Sequence, residues 1–214
     1  MEGYNFLWSL KLLPGIIIGL TVHEFSHAWV ALRAGDSTSR DQGRITLNPL
    51  KHIDPLGFIM LLVAGFGWAK PVEFNEQNLR NPKTDVLKIA VAGPVSNALT
   101  AMALSIIYAI IYKAGYINPY TVPDEIFRSG IVINWALFVF NLIPIPPLDG
   151  SHLLLSYFKK FPVFYRALYR YGTLALLALI IISAVTKVNL LPIWPLCSFL
   201  ANGFLSIFGV TLSV

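Results

Sequence analysis

Two histidines four positions apart, His23 and His27, stand in a stretch (19–32) that is otherwise mostly apolar. On a helix, residues at this spacing lie on one face about one turn apart, so two imidazole nitrogens can meet one metal ion. Glu24 lies about 100° around the helix from His23, within reach of a water molecule beside that metal. The order His-Glu-x-x-His therefore predicts two zinc ligands and a general base.

The composition indicates that these polar residues lie in a membrane. Hydrophobic residues make up 56% of the chain and charged residues 13%, against about 45–50% and about 25% in soluble domains. A charged side chain at the centre of a membrane helix costs about 2.5–3.5 kcal/mol on insertion scales, so a chance match explains the motif poorly. The net charge of +5 builds no continuous basic face, which argues against a nucleic-acid partner. Cys197 is the single cysteine, which excludes a disulfide framework.

The apolar runs predict an all-α polytopic membrane protein with about five transmembrane helices, since a span needs about 20 residues. A shorter apolar run, 56–68, predicts a re-entrant segment, and the partly alternating stretch 68–79 predicts a small β-hairpin with its turn near Asn75. The predicted spans are 12–32, 86–112, a run that follows Glu125 and continues through Phe140, 167–185, and 196–214.

The basic residues orient these spans. They collect in the loops before and after 56–68 and again around 159–170, which the positive-inside rule places on one side of the membrane. This pattern favours five crossings with the N-terminus outside. We expect a single membrane domain over residues 1–214, in a plasma or inner membrane and in contact with the lipid bilayer.

A catalytic zinc ion normally has three protein ligands, so the motif requires one more donor. Asp149 is the best candidate, because the prolines of the stretch NLIPIPPLDG (141–150) interrupt the preceding helix. Broken backbone at membrane depth is tolerated only where protein or a water-filled cavity satisfies it. Asp149 could equally cap a following helix, and the two interpretations are compatible. Asn141 is interpreted as a structural residue of the same break, and His152 is left out of the ligand set.

Three motifs in this order, HEFSH (23–27), AGPVSN (92–97) and NLIPIPPLDG, resemble the site-2 protease family of zinc intramembrane metalloproteases. The resemblance implies one Zn²⁺ ion held by His23, His27 and Asp149, with Glu24 as the base. The family pattern G-x-x-x-N falls on Gly93 and Asn97. It implies that Asn97 holds the substrate backbone or steadies the oxyanion, although a helix-packing role is as good an interpretation of this residue.

The resemblance also implies a function and partners. The expected activity is cleavage of the transmembrane segment of another membrane protein, and a regulatory membrane partner is a candidate for its control. The chain resembles a compact member of the family, without a PDZ or CBS domain. Near the active site, relatives have a β-hairpin or loop that could bind an unwound substrate by strand addition.

Three other functions stay open on the sequence. The same His, Glu and Asp residues could form the path of a metal or proton transporter, since ionisable residues inside membranes mark such routes. A non-catalytic scaffold descended from a protease is a second alternative. A membrane zinc enzyme with a glutamate as its third ligand is the third, and it would not depend on Asp149.

Overall fold

The computed structural model describes residues 6–64, 67–153, 161–186, 188 and 190–212. Within these residues helices are the main regular structure, and a further helical turn begins at Gly150. Two short 3-10 helices, Pro49–Lys51 and Glu76–Asn78, lie in the connections. The α-helices are α1 (Phe6–Ala34), α2 (Thr38–Asp41), α3 (Pro55–Ala64), α4 (Pro82–Lys113), α5 (Val122–Asn141), α6 (Pro162–Thr186) and α7 (Ile193–Ser206).

Helices α1, α4 and α5 pack against one another and form the centre of the molecule. The contact between α1 and α5 is close because both helices have a glycine there: a Cβ atom on Gly15 would lie 2.6 Å from the Cα of Gly130. Helix α7 packs on the far side, where Cys197 and Leu205 join Ile131 and Trp135 in the buried apolar core. This three-helix arrangement holds the polar residues of α1 and α4 against each other.

Three predicted spans are confirmed as helices long and apolar enough to cross a membrane: Leu10–Ala34, Pro82–Lys113 and Val163–Ser183. The chain is therefore a membrane protein. The run predicted after Glu125 forms α5, whose first turns carry Asp124 and Glu125, and this helix does not belong to the group of three.

The prediction of one crossing helix over 196–214 is wrong for the residues that the structure describes. Helix α7 has 14 residues, about 21 Å at 1.5 Å per residue, which is less than the roughly 30 Å of a bilayer core. After it the chain turns at Gly209, whose φ is 63°, and the Leu212 amide donates a hydrogen bond to the Asn202 side chain, 2.7 Å away. The sequence gives no sign of this return because residues on both sides of the turn are apolar.

The predicted β-hairpin is not seen in 68–79. An isolated antiparallel bridge joins Ile53 and Ala69, and the rest of the stretch has no regular structure apart from the 3-10 helix Glu76–Asn78. Its hydrogen-bonding groups bind elsewhere: the Arg44 guanidinium donates to the carbonyl of Lys70, Pro71 has no N–H, and the Val72 amide donates to Glu24. Helix α3, in the predicted re-entrant segment, has 10 residues, and its depth in the membrane stays a prediction.

Asp36, just beyond α1, fixes the far end of the 70–79 segment. Its buried carboxylate accepts hydrogen bonds from the Asn75 amide at 2.9 Å and from the Asn78 side chain at 2.9 Å. Thr38 donates to the same carboxylate from its amide and its hydroxyl. Burial alone raises the pKa of Asp36, but these hydrogen bonds outweigh it, so the pKa lies below its ordinary value of 3.8.

We expect Asp36→Ala to loosen the 70–79 segment by about 1–3 kcal/mol, because the buried donors lose their acceptor. Hydrogen exchange of the Asn75 amide measures this loss, with the exposed Asp41→Ala as the control. Because the pKa is lower in the folded protein, the stabilisation is complete above the unfolded-state pKa of about 3.9 and is lost as the pH falls through the folded-state value. Unchanged exchange in Asp36→Ala at neutral pH would contradict the assignment.

Candidate metal centre

The three predicted ligands come together at one point. The Nε2 atoms of His23 and His27 are 3.0 Å apart, and Asp149 Oδ2 lies 3.1 Å from the first and 3.3 Å from the second. Tetrahedral zinc with bonds of about 2.0–2.1 Å places its ligand atoms about 3.3 Å from one another. The spacing of the three atoms therefore matches what one zinc ion requires.

The hydrogen bonds of the two rings show which nitrogen is available. His27 Nδ1 lies 2.7 Å from the carbonyl oxygen of Ile89, which can only accept, so Nδ1 donates and Nε2 of the neutral ring has a free lone pair. His23 Nδ1 lies 2.7 Å from the Asn97 side-chain oxygen and donates in the same way. No described group donates a hydrogen bond to Asp149 Oδ2. Three lone-pair donors that face one another in a buried site fit a bound cation.

Helix α1 supplies both rings, and the proline-broken stretch supplies the carboxylate. Helix α5 ends at Asn141, and the chain then turns through Pro144, Pro146 and Pro147 to reach Asp149. The turn is tight because Gly150 has no side chain: a Cβ atom there would lie 2.3 Å from the carbonyl oxygen of Leu142. The helical turn begins at Gly150 itself, so Asp149 also lies at the start of a helix, as the alternative interpretation required.

Glu24 is held beside the ligands without joining them. Its Oε2 accepts a hydrogen bond from the Val72 amide at 2.9 Å, and the side chain is largely buried. Glu24, both histidines and Asp149 line one cavity of about 260 Å³. The other residues that line this cavity are Pro71, Val72, Phe74, Ile89, Ala90, Asn141, Pro147 and His152. Its volume can hold water and part of an extended peptide.

Asn97 lies behind His23 and not in the cavity. It is fully buried, and its amide nitrogen donates to the Gly19 carbonyl at 2.9 Å and to the Asn134 side chain at 3.2 Å. Both amide hydrogens are thus used within the protein, and its oxygen accepts from His23. This geometry gives no support to a contact between Asn97 and a substrate or oxyanion.

Gly93, to which the family pattern gave no role, lies directly against the ligand nitrogens of both histidines. A Cβ atom on Gly93 would lie 2.4 Å from His27 Nε2 and 2.6 Å from His23 Nε2. The next residue, Pro94, lacks the N–H that would bind the carbonyl of Ala90, so helix α4 has a missing internal hydrogen bond here. The absence of a side chain at Gly93 leaves the room that an ion between the two rings needs.

Asn141 and His152 were not chosen as site residues, yet both line the cavity. The Asn141 amide nitrogen donates to the carbonyl of Leu137 within its own helix, 3.0 Å away. Asn141 opens the proline-broken stretch and His152 follows it, so their closeness in sequence to Asp149 is the signal that could have indicated them.

The fold and the site together have the features of a membrane metalloprotein of the His-Glu-x-x-His class. The sequence pattern of Peptidase family M50 matches residues 111–180. A Bacillus subtilis protein named "Putative zinc metalloprotease YwhC" is 40% identical over 154 residues, 69% of this chain and 70% of that protein. A relative with the same description from Methanocaldococcus jannaschii is 32% identical over 155 residues, 71% of this chain and 72% of that protein.

A third relative, Rip2 of Mycolicibacterium smegmatis, also carries the description of a zinc metalloprotease and is 30% identical over 151 residues, 66% of this chain and 54% of that protein. No solved structure matches the chain significantly. The chain therefore belongs to peptidase family M50, the site-2 protease family. It is a zinc metalloprotease, and zinc is its cofactor.

Proposed function

We propose that this chain is a zinc-dependent intramembrane endopeptidase that cuts transmembrane segments of other membrane proteins. The observation that carries the proposal is the meeting of His23, His27 and Asp149 within about 3 Å of one another inside a bundle of apolar helices. In this proposal the three residues hold one zinc ion, and Glu24 is the general base. The proposal also includes one domain over residues 1–214, which crosses a plasma or inner membrane several times and contains the site.

The depth of the site supports cleavage within the bilayer. The apolar span of α1 runs from Leu10 to Ala34, so its middle residue is Val22, the neighbour of His23. A transmembrane substrate would bring its peptide bonds to this depth. The cavity beside Glu24 lets water reach the site, and the neighbouring 70–79 segment contributes Pro71, Val72 and Phe74 to its wall.

Bound zinc supplies a Lewis acid that polarises the scissile carbonyl and lowers the pKa of water. Glu24 takes a proton from the attacking water at its carboxylate and gives it to the leaving amine. The Val72 amide holds Glu24 at the edge of the cavity, where the carboxylate can face both water and substrate. The substrate must be unwound at the scissile bond, because the hydrogen bonds and side chains of a helix shield the carbonyl.

We expect Asp149→Ala to lose most of its bound zinc and all measurable cleavage, because two histidines alone make an incomplete site. Metal analysis of the purified protein, together with cleavage of a model single-span membrane protein in vesicles, measures both effects. Asp54→Ala is the matched control: this carboxylate also precedes a helix, and it accepts a hydrogen bond from the Gly57 amide at 2.7 Å. Stoichiometric zinc in Asp149→Ala would show that another residue is the third ligand.

A further inference from the structure

A chain of hydrogen bonds leads from His23 into the contact between the helices, away from the cavity. His23 Nδ1 donates to the Asn97 side-chain oxygen at 2.7 Å, and the Asn97 nitrogen donates to the Asn134 side-chain oxygen at 3.2 Å. Asn97 and Asn134 are both fully buried. This chain of hydrogen bonds therefore joins one residue from each of α1, α4 and α5.

Asn134, at the far end of these hydrogen bonds, determines which group donates and which accepts in each of them. The Asn134 nitrogen lies 2.8 Å from the carbonyl oxygen of Gly130 and 3.3 Å from that of Gly15. Carbonyl oxygens only accept, so the Asn134 amide must direct its nitrogen toward them and its oxygen toward Asn97. That oxygen in turn requires the nitrogen of Asn97 as its donor.

The orientation of Asn97 in turn determines which nitrogen of the His23 ring carries the hydrogen. The Asn97 nitrogen has two acceptors, the Asn134 side-chain oxygen and the Gly19 carbonyl. The oxygen of Asn97 is left to face His23, so Nδ1 of this ring carries the hydrogen and Nε2 keeps its lone pair. Three backbone carbonyls in the helix contact, those of Gly15, Gly130 and Gly19, thus determine which ring nitrogen of His23 is free.

Glycines make this arrangement possible. Because α1 and α5 touch at Gly15 and Gly130, the Asn134 nitrogen can reach carbonyls of both helices. Farther along α1, a Cβ atom on Gly19 would lie 2.8 Å from the Asn134 oxygen. A larger residue at either position of α1 would separate Asn134 from its partners.

We infer that Asn134 is a positioning residue for the metal centre: through Asn97 it holds His23 in the tautomer that presents Nε2 to zinc. The inference rests on the proposed function, since it concerns the same zinc ligand. Without Asn134, only the Gly19 carbonyl still holds the nitrogen of Asn97 in place. With one of its two acceptors lost, the Asn97 amide populates a rotated orientation that directs its nitrogen toward His23 and removes the acceptor for the Nδ1 hydrogen. The ring then has no fixed tautomer and binds zinc less tightly.

The first test replaces Asn134 with leucine in the full chain. We expect Asn134→Leu to weaken zinc affinity by about tenfold, the lower end of the range for residues that support metal ligands. Competition with a zinc chelator measures the affinity. Ser105→Ala is the matched control, because Ser105 is fully buried in a separate part of α4, where its hydroxyl donates to the carbonyl of Ala101 at 2.8 Å.

A rescue experiment separates positioning from simple helix packing. In Asn97→Asp, either carboxylate oxygen can accept from His23, so the orientation set by Asn134 no longer matters. Adding Asn134→Leu to Asn97→Asp also removes an oxygen that faces the carboxylate. We therefore expect the double variant to bind zinc within about threefold of Asn97→Asp alone, a non-additive result. An equal tenfold loss in both backgrounds would mean that Asn134 only packs the helices, and the inference would fail.

The tautomer itself gives a readout that needs no metal. The chain has four histidines, so ¹⁵N-histidine NMR of the zinc-free protein in lipid can resolve them, with His52 and His152 variants for assignment. We expect His23 to be protonated at Nδ1 in the wild type and in a mixture of tautomers in Asn134→Leu. The same tautomer in both proteins would overturn the inference. Failure of the wild type to bind zinc would instead reject the proposed function, and the NMR result would still decide the role of Asn134.

Discussion

Glu24→Gln is expected to lower the rate of substrate cleavage by about 10²–10⁴-fold, the range for removal of a general acid-base group, while zinc content stays at the wild-type level. The amide of glutamine has nearly the shape of the carboxylate and can still accept the hydrogen bond from Val72. It cannot take up a proton from water at neutral pH. Cleavage of a single-span substrate in vesicles and metal analysis of the same preparation measure the two properties.

Glu76→Gln provides the control, since Glu76 is exposed in the neighbouring 70–79 segment and does not line the cavity. It is expected to cleave at the wild-type rate. Full activity in Glu24→Gln would remove Glu24 from the proposed mechanism. If metal or proton flux across the vesicle membrane also depended on His23 and Asp149, the transporter alternative would account better for the polar cluster.

Gly93→Ala is expected to abolish zinc binding, and cleavage with it. The added Cβ atom would lie 2.4 Å from His27 Nε2 and 2.6 Å from His23 Nε2, far inside contact distance. The rings cannot withdraw without cost, because each is anchored through Nδ1, one to the Ile89 carbonyl and the other to Asn97. The methyl group therefore either displaces the rings from the metal or occupies the space between them.

Gly203→Ala controls for a general effect of alanine within a membrane helix. Gly203 lies in α7, and a Cβ atom there would meet no heavy atom within 4 Å. Both variants should show wild-type helix content by circular dichroism, and only Gly93→Ala should be free of zinc. Normal zinc affinity in Gly93→Ala would show that the rings have room to retreat and that the glycine has another role.

The metal-ligand positions could be predicted from the sequence because helical spacing is a local property. His23 and His27 must share a face of any α-helix, and the proline break marked Asp149 as an acidic residue outside regular structure. The structure brings the three side chains together, although their role as ligands remains a prediction. The membership of the zinc metalloprotease family, in contrast, is confirmed by the relatives.

Contacts between distant helices could not be predicted in this way. The meeting of Asn134 with Gly15 depends on how closely α1 and α5 approach, and that distance is set by tertiary packing. The hairpin prediction failed for a related reason. Alternation in 68–79 suggested paired strands, but Arg44 and Glu24, which lie far away in the sequence, bind the backbone of that segment instead.

The contact between Glu24 and the backbone of residue 72 has an evolutionary consequence. A main-chain amide is present whatever the side chain, so every residue except proline keeps the donor at this position. Mutation can therefore change the shape and polarity of the cavity wall at residue 72 while the hydrogen bond to the carboxylate is preserved. Members of a lineage could drift toward different substrates through such changes and inherit the same catalytic apparatus.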